Sequence, residues 1–161
     1  VYFSKETGMD VIRQLDTDTI KVPMEAMDKE EAIAELLELL VRADRVHDRE
    51  SILEALYERE MKGSTGIGEG VAVPHARHPD VDGAQVAAGV SKEGIDFEAL
   101  DDQDVHVVFL VVAEEDDPSA NVEALAEIGN LVQVPGIFDR LVEADSAEQF
   151  VNILTEVEFQ P

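Results

Sequence analysis

Hydrophobic positions recur along this chain at two spacings, and the change from one to the other marks out its elements. Ile33, Leu36, Leu37, Leu40 and Val41 fall at helical intervals behind Asp28, with Glu31 three residues on, so a helix is predicted to run to about Ala43. A second helix is predicted with Asp48 as its cap, Ile52, Leu53, Leu56 and Tyr57 on one face and Gly63 as its stop. Residues 105–113 are of another kind. Val105, Val107, Val108, Phe109, Leu110, Val111 and Val112 leave almost no polar position, as a central strand covered on both faces would.

Weaker signals fill the rest. Val11, Ile12 and Leu15 predict one or two helical turns, and residues 19–24 a short strand stopped by Pro23. Ile67 and residues 71–73 read as strand pieces between glycines, residues 85–90 as a strand, and 94–97 as its hairpin partner. Asp117-Pro118 opens a helix whose buried stripe is expected at Val122, Leu125, Ile128 and Leu131 or Val132. A short helix over 135–144 follows, and Ser146 with Gln149 forms a capping box ahead of Phe150, Ile153 and Leu154. This order predicts an α/β fold: a single-domain sandwich with a mixed β-sheet flanked by helices on both faces. The domain is expected over residues 9–159, with 1–8 as a leader or disordered start.

Length agrees, since 161 residues at 45% apolar composition suffice for one well-buried core. The absence of cysteine excludes disulfides, thiolate metal ligands and a cysteine nucleophile. With 37 acidic against 12 basic residues the formal charge is −25, a field that repels nucleic acid and anionic membrane. Ordered periodicity argues against disorder. Such an acidic coat on a folded domain is instead what adaptation to high salt predicts. There is no run of eighteen apolar residues and no basic start followed by an apolar core, so neither a membrane span nor a signal peptide is expected and the location is read as cytoplasmic.

Candidate chemistry gathers in residues 63–80, GSTGIGEGVAVPHARHPD. Pro74 fixes its own φ and biases Val73 to an extended conformation, so His75 is expected at the end of a strand with little backbone freedom. A neutral imidazole held at one nitrogen by an acceptor can take a phosphoryl group at the other. Arg59, in the last turn of its helix, offers a bidentate fork, Ser64 and Thr65 offer hydroxyls, and Glu69 offers a carboxylate to orient the ring. Arg59 equally suits the negative end of the helix dipole, and Glu69 equally suits a solvated turn.

Two other readings compete. A nucleotide-binding loop would need lysine and a hydroxyl where Glu69 and Gly70 stand, and a carboxylate repels triphosphate. His75 and His78, with Asp80 nearby, have a spacing that zinc sites use, but a third ligand at standard spacing is missing.

Glu58-Arg59-Glu60, residues 63–68 and Val71-Ala72-Val73-Pro74-His75 resemble the EIIA domain of the fructose/mannitol type (type 2) of the phosphoenolpyruvate-dependent sugar phosphotransferase system, a domain shared by the nitrogen-regulatory EIIA proteins. The resemblance extends to residues 28–32, 94–97 and 107–113 and the helix that follows. It implies a phosphotransferase component without a cofactor. His75 would be phosphorylated on its tele nitrogen by HPr, and the group would pass to an EIIB cysteine. Arg59 would neutralise the phosphoryl charge. Asn121 stands where the family has a second histidine; its amide can donate a hydrogen bond but cannot carry a proton at neutral pH. The resemblance leaves open a regulatory role in which the phosphorylation state of His75 controls binding to a target protein.

Overall fold

A computed structural model describes residues 11–158, so the expectation for residues 1–8 lies outside the described residues. Its sheet is assembled about β6 (Val105–Glu114). On one side β6 pairs antiparallel with β5 (Ala84–Ile95), which pairs parallel with β1 (Ile20–Lys21). On the other it takes two short parallel partners in succession: β3 (Val71–Ala72) at Val107 and Val108, then β4 (His75–His78) from Val111 to Glu114. β2 (Gly66–Gly68) runs antiparallel to β3 at that edge. The sheet is therefore mixed.

The apolar run in β6 separates two cores. Val107, Phe109, Val111 and Ala113 belong to one core with buried residues of α3 (Pro118–Val132), α4 (Ile137–Glu143) and α5 (Ala147–Glu158). Val108, Leu110 and Val112 belong to the other, with Ile33, Leu36, Leu37 and Leu40 of α1 (Lys29–Arg42) and Ile52 and Leu56 of α2 (Arg49–Met61). A strand with hydrophobic partners on both faces has no use for alternation, which is why the sequence shows none.

The capping signals act as their chemistry requires. Asp28 accepts from the Glu31 amide at 2.8 Å. Ser146 Oγ accepts from the Gln149 amide at 3.1 Å, while Gln149 Oε1 accepts from that of Asp145 at 2.7 Å. Ahead of α2 the expected Asp48 cap is not made: the Asp48 side chain is not hydrogen-bonded to the helix amides, and Asp80 instead accepts from the Asp48 amide at 3.3 Å. Residues 66–72 form a hairpin whose two connecting residues, Glu69 and Gly70, both have positive φ (57° and 85°), as a primed two-residue turn demands.

Two expectations are corrected. Gly94 and Ile95 are not a hairpin partner but the end of β5 itself, reached through a register shift after Val90, with Ile95 opposite Val105. The buried stripe of α3 is also rotated, because Val122 is 63% exposed while Ala124, Glu127, Ile128 and Leu131 are buried. The reason is a tertiary hydrogen bond that periodicity cannot register. The Glu127 carboxylate accepts from the amides of Val11 and Ile12, at 3.1 and 3.3 Å, and so occupies a core-facing position.

Candidate functional site

His75 does not end a strand. Pro74, which has no N–H to give the ladder, divides the expected strand in two, and His75 opens β4. The Pro74 carbonyl still accepts from the Val111 amide at 3.0 Å, so pairing with β6 resumes at once, His75 opposite Val111.

The imidazole is half-buried, with Nδ1 2.8 Å from the Val73 carbonyl oxygen. A carbonyl can only accept, so Nδ1 carries the proton and the lone pair resides on Nε2. Burial, the largest influence, lowers the ring's pKa from its ordinary 6.5; the Val73 hydrogen bond works the other way, Arg59 lowers it further, and Glu60 raises it. At neutral pH the ring is uncharged, with a free electron pair.

Side chains two apart on a strand share a face, so His75 and Arg77 lie on one side of β4 with Ala76 and His78 on the other. The β6 partners of His75 and Arg77 are Val111 and Ala113, members of the core beneath α3. Among the described residues β4 has no partner beyond β6, and at this free edge the end of α2 and the start of α3 approach each other. A cleft of about 320 Å³ results, lined by Arg59 and Lys62 from the end of α2, His75 and Arg77 from β4, and Glu115 and Asn121 from beyond β6.

Arg59 sits in the last turn of α2 and donates from Nη1 to the Gly63 carbonyl at 2.9 Å. The guanidinium thus serves the helix terminus and lines the His75 cleft together. Asn121, in the first turns of α3, lines the same cleft; its Oδ1 is buried with no hydrogen-bond partner among the described residues.

Ser64, Thr65 and Glu69 are absent from the cleft lining. Ser64 Oγ donates to the Phe97 carbonyl and accepts from the Gly66 amide. Thr65 is buried, its amide and hydroxyl donating to the Glu60 carboxylate at 3.0 and 2.6 Å. Glu69 lies in the hairpin turn before β3, whose Val71 is opposite Val107, whereas His75 is opposite Val111. Six extended residues span about 20 Å, so Glu69 lies far along the sheet and the Val73 carbonyl orients the ring in its place.

His78 faces away from His75 and has both nitrogens engaged. Nδ1 accepts from the Asp80 amide at 3.0 Å, and Nε2 lies 2.8 Å from Ser51 Oγ, tying β4 to α2. The two histidines do not converge on a common point, and no metal-holding group of three acidic, histidine or cysteine side chains occurs among the described residues. Lys62, Glu115, Arg77 and the Val73 carbonyl escaped the sequence reading. The Val73 carbonyl is backbone and leaves no residue signature, whereas Arg77 was accessible from its spacing of two from His75 once a strand was assigned there.

The family model described as "Phosphoenolpyruvate-dependent sugar phosphotransferase system, EIIA 2" matches residues 13–157. The fructose-specific EIIABC component of Bacillus subtilis is 37% identical over 148 residues, which are 92% of this chain but 23% of that protein, so the chain spans about a quarter of it. The fructose-specific EIIA component of Haloferax volcanii is 34% identical over 151 residues, covering 94% of this chain and 97% of that protein. Among solved structures, nitrogen regulatory protein IIA-Ntr from Neisseria meningitidis has a TM-score of 0.81 at 30% identity, covering 90% of this chain and 99% of that one. Agreement over nearly the whole length, in sequence and in fold alike, means that this chain belongs to the type 2 EIIA family of the phosphoenolpyruvate-dependent sugar phosphotransferase system, a family of phosphocarrier components.

Proposed function

We propose that His75 accepts a phosphoryl group from phosphorylated HPr and passes it to a cysteine of an EIIB domain, for the uptake and phosphorylation of a sugar, fructose. One observation carries this reading: the neutral His75 ring opens on a cleft with its Nδ1–H held by the Val73 carbonyl, which leaves the Nε2 electron pair as nucleophile. The Bacillus and Haloferax relatives are fructose-specific components. The proposed setting is the cytoplasm; no helix among the described residues is long and apolar enough to cross a membrane.

In the first transfer the Nε2–phosphorus bond forms while the donor's nitrogen–phosphorus bond breaks, its electron pair staying on the donor imidazole. The proton stays on Nδ1, hydrogen-bonded to the Val73 carbonyl. In the second transfer a thiolate of EIIB forms the new bond to phosphorus and the departing pair returns to Nε2. Catalysis of such a transfer is mainly positioning and charge stabilisation. Arg59 neutralises the phosphoryl oxygens, and the Asn121 amide donates to them without adding charge.

A second reading is favoured by the likeness to IIA-Ntr: the phosphorylation state of His75 controls binding to a target protein. Transfer to EIIB at a rate matching sugar uptake supports the first reading, and selective capture of a target by one phospho-state supports the second. The deciding first experiment is intact-mass spectrometry in high salt after incubation with phosphoenolpyruvate, enzyme I and HPr. Wild type is expected to gain one acid-labile, alkali-stable phosphoryl group and His75→Gln none; absence of the gain with active partners would refute the carrier chemistry.

A further inference from the structure

In a chain with so large an acidic excess, a cation without a carboxylate partner is unusual. Among the described residues Lys29, Arg42, Arg45, Arg49, Lys92 and Arg140 each lie within 4.0 Å of an acidic side chain. Lys21, Arg59, Lys62 and Arg77 do not, and all of these except Lys21 line the His75 cleft. Glu58 and Glu115 line it too, yet neither is within ion-pair distance of these cations. Charges left free beside a nucleophile are available to an anion.

Of the three, Arg77 is the one whose placement is fixed by the sheet. It stands opposite Ala113, two residues beyond His75 on the same face of β4, about 7 Å along the strand. Its guanidinium is planar, permanently charged and shaped to take two oxygens of a phosphoryl group at once. We propose that Arg77 is a second phosphoryl-binding residue, gripping the group from the β4 wall as Arg59 does from the α2 wall. It forms no covalent bond and moves no proton. The inference rests on the carrier reading of His75, and the test separates the two.

Wild type, Arg77→Ala, Arg77→Lys and a control, Lys21→Ala on the far edge of the sheet, are treated with potassium phosphoramidate, which requires no partner protein. Phosphorylation is followed by intact mass, with thermal melting to monitor the fold. Arg77→Ala is expected to slow phosphorylation of His75 about tenfold at an unchanged melting temperature, with Arg77→Lys recovering part of the loss and Lys21→Ala matching wild type. If wild type is phosphorylated and Arg77→Ala stays within about twofold of it, the role of Arg77 is overturned while the carrier reading stands. If wild type takes no group, the carrier reading fails, and titration with inorganic phosphate followed on the His75 ring signals by NMR decides the rest. An affinity about fivefold weaker in Arg77→Ala supports Arg77 as an anion-binding residue, and equal affinities overturn it.

Discussion

Nδ1 of His75 stands 2.8 Å from the carbonyl oxygen of Val73, two residues behind it across Pro74. Proline makes this contact dependable, because it fixes the backbone between the acceptor and the ring it holds. The hydrogen bond selects the tautomer, and the tautomer selects Nε2 as the atom that reacts.

Acid therefore silences the site. Protonation of Nε2 removes the electron pair, and the His75 pKa lies below 6.5, chiefly through burial. Phosphorylation by phosphoramidate is expected to be flat above pH 7 and to fall about tenfold per pH unit below the folded-state pKa. Stability follows the same sign. The unfolded ring binds its proton at the higher pH, so the His75 contribution is full above about 6.5 and is lost as the pH drops from there through the lowered folded value. Denaturation of wild type against His75→Gln across pH 4.5–7.5 isolates this term from the carboxylates; a constant difference between them would refute it.

Arg59→Ala is expected to cut phosphoryl transfer by roughly ten- to a hundredfold, with Arg59→Lys in between, because a lysine keeps charge but loses the fork. Stability should change by less than about 1 kcal/mol, since the bond given up is to the exposed Gly63 carbonyl. The charge of Arg59 helps to lower the His75 pKa, so NMR titration of the ring in Arg59→Ala should give a higher value than wild type. A lower value would contradict the geometry.

Glu60 is buried at the end of α2, accepts both Thr65 donors and lies 3.8 Å from Lys29. Glu60→Ala leaves those buried donors unmatched and is expected to cost about 2–4 kcal/mol in urea unfolding. Glu60→Gln keeps a carbonyl acceptor and should cost less. Equal losses would mean that charge, and not the Thr65 hydrogen bonds, is what holds this loop.

Salt should raise the melting temperature. A formal charge of −25 repels itself over a screening length of about 10 Å at 0.1 M salt, which shrinks to about 3 Å at 1 M. A melting temperature that does not change between these conditions would remove the case for adaptation to salt.

The sandwich, the central strand and the Asp28 and Ser146 caps were legible in the residues because each rests on local chemistry: helical spacing, an unbroken apolar run, a side chain three residues from an amide. The candidate site was legible in part for the same reason. His75 is marked by Pro74 beside it and Arg59 by its place near a helix end, and both line the cleft. Their neighbours in sequence mislead. Ser64 and Thr65 are as near to His75 along the chain as any site needs, yet the loop consumes their hydroxyls on Phe97 and Glu60. Glu69 is closer still, yet an extended chain carries it away.

Sequence by itself determined the helices, the central strand and which imidazole is rigidly presented, since periodicity, capping and proline act within a few residues. Tertiary structure alone decided which groups share the cleft. Asn121 arrives from a helix 46 residues after His75, Arg77 comes from the face that strand pairing assigns, and the ring is steadied by a backbone oxygen that every residue possesses. Those choices depend on register and on packing across the free edge of the sheet, which are properties of elements in contact and are not written in any one segment.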